Sequence, residues 1–128
     1  MTSGDDVRPG RAEDGAELVA AIEKRLSEAA QVLAGGPDRW RLARGEQLLR
    51  DVEEVTAACT GMCTDVHLVA ALVSVRNEIS AHLLAAATLE EVGGGTKVVC
   101  DVLRRGVASA QGGLERVPMV AGRGRGEA

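Results

Sequence analysis

The sequence predicts an all-α fold, a small four-helix bundle running up-down-up-down. Three observations predict it. Glycines at Gly35-Gly36-Pro37, Thr60-Gly61, Gly93-Gly94-Gly95 and Gly112-Gly113 cut the chain into four segments. Within each segment the apolar residues recur at the helical period and not at the strand period of two. The chain of 128 residues also holds no Phe, no Tyr and a single Trp. A core without aromatics is filled by Leu, Val, Ile and Ala, which suit packed helices. Connections of two to five residues set successive helices antiparallel. A three-helix bundle with the first or fourth helix loosely attached is the competing arrangement.

The first helix is expected from about Gly15 to Ala34. Asp14 is its candidate N-cap, with Glu17 completing a capping box. Leu18, Ile22, Leu26, Ala29 and Leu33 share one face, and Glu23, Lys24, Arg25 and Glu28 make the solvated side. The second helix starts at Pro37 or Asp38, where a first-turn proline is tolerated, and ends near Cys59. Leu48, Val52, Val55 and Cys59 form a row beside Leu42 and Leu49. Gly45 inside it costs about 1 kcal/mol relative to Ala, which marks either a close helix crossing or nothing.

The third helix, about Asp65 to Glu91, is capped by Thr64. Leu68, Leu72, Val75, Ile79 and Leu83 form its stripe, and Val69, Ala71 and Val73 widen that stripe almost all round. A helix apolar on most sides is expected at the centre of a fold. Glu90 and Glu91 carry the wrong sign for its C-terminal dipole, and the sequence offers no reason for them. The fourth helix, about Lys97 to Ala110, is capped by Thr96 and turns Val99, Val102, Leu103 and Val107 inward. One domain is expected, over 14–112, with a disordered segment 1–13 before it and a flexible tail 113–128 after it.

Composition narrows the function. Apolar residues make up 45% of the chain, enough for a core, and the net charge is −4, which disfavours nucleic acid. Arginine far outnumbers lysine, which with many Ala, Gly and Val suggests a GC-rich bacterial genome. The N-terminus has no signal-peptide pattern. The longest apolar run, Leu68 to Val73, is far short of a membrane span, so no membrane association is expected. Three cysteines, an odd number, fit a reducing cytoplasm.

The sharpest constellation is Cys59, Cys63 and His67, each four residues from the next. Two thiolates and an imidazole are ligands for Zn or Cu(I). Gly61 is expected to break the helix between the cysteines, so that they flank a turn, and Cys100 would complete the set from the fourth helix. The competing reading makes Cys59 and Cys100 small buried hydrophobes and Cys63 a turn residue. His82 reads as a boundary residue with one hydrogen bond. Glu53-Glu54 and Glu90-Glu91 point about 100° apart and form no acid–base dyad. Gly93 to Lys97 lacks phosphate-loop spacing and reads as a linker. Arg39, Arg41 and Arg44 with Trp40, followed by Arg50, form a short basic cluster. It either touches an anion or is a solvated helix start with Trp40 covering the corner between the first two helices. Arg123 to Gly126 reads as a solvated tail.

Cys63-Thr64-Asp65-Val66, followed by Ala70-Ala71-Leu72 and Leu83-Leu84, resembles the central helix of copper-sensing CsoR-type repressors. The Arg44-Gly45 pair matches the family's preceding helix. The resemblance covers about residues 41–92, with gaps, and implies a metal-responsive helical regulator with Cys63 as a ligand. The family's later His and Cys ligands would fall at 87–92, where this chain has neither. Two functions are therefore expected in order. The first is a cytoplasmic, non-catalytic, self-associating protein–protein interaction module or regulatory accessory protein, without cofactor. The second is a metal- or thiol-responsive regulator using Cys59, Cys63 and His67. No catalytic constellation supports an enzyme, and no small-molecule ligand is implied.

Overall fold

A computed structural model describes residues 12–116, and outside short turns all of them are helical, with no strand. The four helices are α1 (Ala12–Ala34), α2 (Arg39–Met62), α3 (Val66–Glu91) and α4 (Thr96–Glu115). α1 packs on α2 and α4, α3 packs on the same two, and α2 reaches α4 across the short diagonal. That cyclic order, with only three or four residues between helices, makes an up-down-up-down four-helix bundle. All four helices bury residues in one core, so neither end helix is an appendage.

Several boundaries differ from those expected. Residue 12 is already helical, so Asp14 lies inside α1 and does not cap it. α2 runs straight through Gly61 to Met62. One glycine costs a helix only about 1 kcal/mol, less than the packing that holds α2. Asp65, not Thr64, caps α3, its carboxylate accepting from the N–H groups of His67 (2.9 Å) and Leu68 (3.2 Å). Gly95 is the N-cap of α4 and Thr96 its first residue. α4 then passes through Gly112 and Gly113 to Glu115, because Leu114 is buried and anchors the last turn. The inner edges of the expected loose segments, 12–13 and 113–115, are therefore helical. Residues 1–11 and 117–128, Arg123 to Gly126 among them, lie outside the described residues.

The true stops are the two glycine clusters with left-handed backbone. Gly36 has φ +142° and Gly93 φ +86°, conformations that a Cβ penalises.

The core follows the expected stripes with small shifts. Val19 takes an inner place that leaves Leu18 half-buried, and Val55, Leu83 and Val102 are only partly covered. Each fully buried Leu or Ile contributes about 1.5–3 kcal/mol. Thr56, the one buried polar side chain among the described residues, satisfies its hydroxyl within α2, its single proton shared between the carbonyls of Val52 (2.8 Å) and Glu53 (2.9 Å). Two glycines set the helix crossings. A Cβ on Gly45 would lie 2.7 Å from Leu33 Cδ2, and one on Gly106 2.7 Å from His82 Cβ.

α3 is not central. It buries Leu68, Leu72, Val75, Ile79 and Ala86, while Val66 and Leu84 are 74% and 69% exposed. A four-helix bundle has no central helix, so each member buries one face only, and the second apolar face of α3 looks outward.

Candidate functional site

The four candidate metal ligands are not brought together. Cys59 is buried near the end of α2, and Cys63 follows one turn later as its C-cap, its N–H donating to the Cys59 carbonyl at 2.9 Å. The two cysteines thus share a helical turn and do not flank a loop. His67 is exposed in the first turn of α3. Cys100 lies in the second turn of α4, close enough to feel the charges of Asp38 and Glu46 at the start of α2. The rise of a helix puts that part of α2 about 20–30 Å from Cys59. Among the described residues, no group of three His, Cys, Asp or Glu side chains could hold a metal ion.

Burial pushes the Cys59 thiol up to about 11, with a further push from Cys63. Burial also raises Cys100, followed by the carboxylates of Asp101, Asp38 and Glu46. Both shifts favour the neutral thiol, the opposite of what a ligand or nucleophile needs. His82 sits where a boundary histidine would. Its Nδ1 lies 2.8 Å from the Glu78 carbonyl and its ring base packs under Gly106.

The basic cluster is spread out and used internally. Arg41, not Trp40, closes the corner between α1 and α2. Its Nε donates to Asp38 Oδ2 (2.9 Å) and its Nη1 to the Val32 carbonyl at the end of α1 (3.2 Å). Any side chain at position 35 would collide with this guanidinium. Trp40 is 60% exposed and lies under Arg41, whose Cζ is 4.4 Å from its ring centre. Arg44 pairs with Glu28 at 2.8 Å. Arg39 lines a shallow groove of about 290 Å³ with Leu42, Ala43, Glu46 and Glu90. Burial, then the charge of Glu90, raises the Glu46 carboxyl above its ordinary value, and Arg50 opposes the shift. Glu90, of unfavourable sign at the end of its own helix, lines this groove with Arg39 from the start of α2.

One feature went unread in the sequence, the outer face of α3. Val66, Ala70, Val73, Asn77, Ala81, Leu84 and Thr88 are all exposed and follow one another at steps of three and four. They form one line along the helix, and none is charged. Val92 and Val98 add exposed apolar surface at the turn into α4. α3 is long and apolar enough to cross a bilayer by length and composition alone, and only 22% of that stretch is buried. The signal was the all-round apolar character of this segment, which sequence reasoning assigned to burial at a centre.

Fold and surface define a four-helix bundle with one uncharged, solvent-facing helix face. No family model matches the chain, and no curated protein or solved structure is significantly similar to it. The likeness of residues 41–92 to copper-sensing repressors thus stands on its short motif alone.

Proposed function

We propose that the protein is a non-catalytic cytoplasmic interaction module, a regulatory or accessory protein whose docking surface is the outer face of α3. The observation that carries this reading is the uncharged line from Val66 to Thr88 standing in water. Monomers seldom leave large apolar surface exposed unless it is used, and this strip is apolar but for Asn77 at its middle and Thr88 at its end. A protein partner fits the strip better than a lipid surface does. Interfacial helices flank their apolar face with Lys and Arg, whereas this one is bordered by Arg76, Glu78 and Glu91 on a chain of net charge −4.

In-cell photocrosslinking tests the reading. A photoreactive residue in place of Leu84 should give a discrete protein adduct, and one in place of the exposed Glu54 on α2 should give none. Absence of any protein adduct from the α3 face, or adducts to lipid only, would remove the interaction-module reading.

A further inference from the structure

We propose that Cys59 and Cys63 are a reversible redox pair, in which Cys63 takes up oxidation from a peroxide and Cys59 resolves it into a disulfide across the last turn of α2. The pair lies away from the α3 face, and the proposal stands whether or not the docking reading holds.

The helical turn places the two side chains together. The Cys63 N–H donates to the Cys59 carbonyl at 2.9 Å, so the ladder of α2 reaches Cys63. Cys63 has φ −83° and ψ 147°. The direction of a Cβ follows φ, so that of Cys63 keeps its helical place above Cys59. Only the chain beyond it, which follows ψ, turns away. Cys59 lies in the core and Cys63 packs at its edge. The charge of Cys63 is near enough to shift the Cys59 thiol. Cys100 is buried on α4, toward the other end of the bundle, and does not compete. Accessibility then divides the two roles. Cys59 is shielded from a dissolved oxidant, whereas half-buried Cys63 is open to one. An accessible thiol beside a second thiol that can resolve it is the arrangement of redox-sensing cysteines.

The chemistry closes with hydrogen peroxide as oxidant. The Cys63 sulfur attacks one peroxide oxygen and the O–O bond breaks. The sulfur becomes a sulfenic acid, and the departing hydroxide takes the thiol proton and leaves as water. The Cys59 sulfur then attacks that of Cys63. The S–O bond breaks, the S–S bond forms, and the Cys59 proton leaves with the hydroxide as a second water. Geometry makes the product reversible. Helix neighbours four apart hold their Cβ atoms about 5–6 Å apart, and a disulfide needs about 3.5–4.5 Å. The last turn of α2 therefore has to give. It can, because it ends the helix, because Gly61 within it has open space around it, and because the chain already leaves the helix at Cys63. A disulfide that distorts its own helix is readily reduced, as labile and regulatory disulfides are.

Peptide mapping of the full chain after treatment with hydrogen peroxide at neutral pH is the test. Cys59 and Cys63 share the tryptic peptide 51–76, and Cys100 lies in another. The shared peptide should become lighter by two hydrogens, Cys100 should stay reduced, and excess reduced glutathione should restore both thiols. In Cys59→Ala, Cys63 should stop at a sulfenic acid that dimedone traps. Rates show whether closure is local. Leu72→Ala loosens the whole bundle and should change the closure rate by less than about threefold. Gly61→Ala stiffens the turn itself and should slow closure about two- to fivefold. Products confined to Cys63, over-oxidised or linked between two chains, would overturn the pair. A larger acceleration by Leu72→Ala would overturn it too, since the two thiols would then meet only when the bundle opens.

Discussion

Cys59 and Cys63 stand one helical turn apart, yet their thiols have different surroundings, and the difference is measurable. Cys63 is half-buried and should label first with a thiol reagent, whereas buried Cys59 and Cys100 should react only as the bundle opens. The pH dependence has a definite sign. An exposed thiol ionises near 9.0 and Cys59 in the fold near 11, so between those values the unfolded chain holds fewer protons than the folded one. Stability then falls as pH rises. The contribution is fully present below pH 9 and is lost toward pH 11. Thermal midpoints should drop across that window, and Cys59→Ala should flatten the drop. An equal loss in both proteins would show that another group is responsible. The burial of Cys59 and Cys100 was legible from residue type, since free cysteine favours interiors. The separation of Cys100 from Cys59 was not, because spacing along the chain carries no tertiary distance. Arg41 was misjudged for a related reason. An aromatic looks like the natural cover for a corner, but a guanidinium can reach the Val32 carbonyl near the end of α1 and Asp38 together, which an indole cannot.

Glycine has two roles at the level of the helices, and the sequence shows one plainly and the other only as one of two options at Gly45. Gly36 and Gly93 end helices because their backbone is left-handed, and their neighbouring glycines made those ends legible. Gly61 and the Gly112-Gly113 pair looked the same on paper but lie inside helices, since one or two glycines weaken a helix less than tertiary packing strengthens it. Gly45 and Gly106 let helices approach; the facing Leu33 decides the option left open at Gly45, and the facing His82 reveals Gly106, which the sequence did not single out. The two roles make opposite forecasts. Gly61 has open space where a Cβ would sit, so Gly61→Ala should stabilise by about 0.4–1 kcal/mol. Gly106→Ala drives a Cβ into His82 Cβ, which is tied to the backbone and cannot swing away, and should cost about 1–3 kcal/mol. Denaturant melts of the two variants check both. Equal effects would mean that the α3–α4 crossing does not depend on Gly106.

For the whole molecule, helix number, order and core stripes were legible because periodicity and turn chemistry are local. The place of α3 was not, since the same spacing describes a helix surrounded by others and a wall with two apolar faces. The candidate docking face was hidden for that reason. The wall still bears on the core through Leu72, which is fully buried. Leu72→Ala should cost about 2–5 kcal/mol in a single cooperative transition. A change inside the surface scatter of about 0.5 kcal/mol would show that α3 is not part of the folding unit. That transition has to be followed by helical ellipticity, and the reason is Trp40. The chain's single tryptophan stands mostly in water beside Arg41, so its fluorescence colour is already that of a solvated indole in the native state. Melting the core should leave the emission maximum almost unmoved. The lamp built into this protein lights only the first turn of α2, and it will report whether Arg41 holds its corner while staying blind to the bundle behind it.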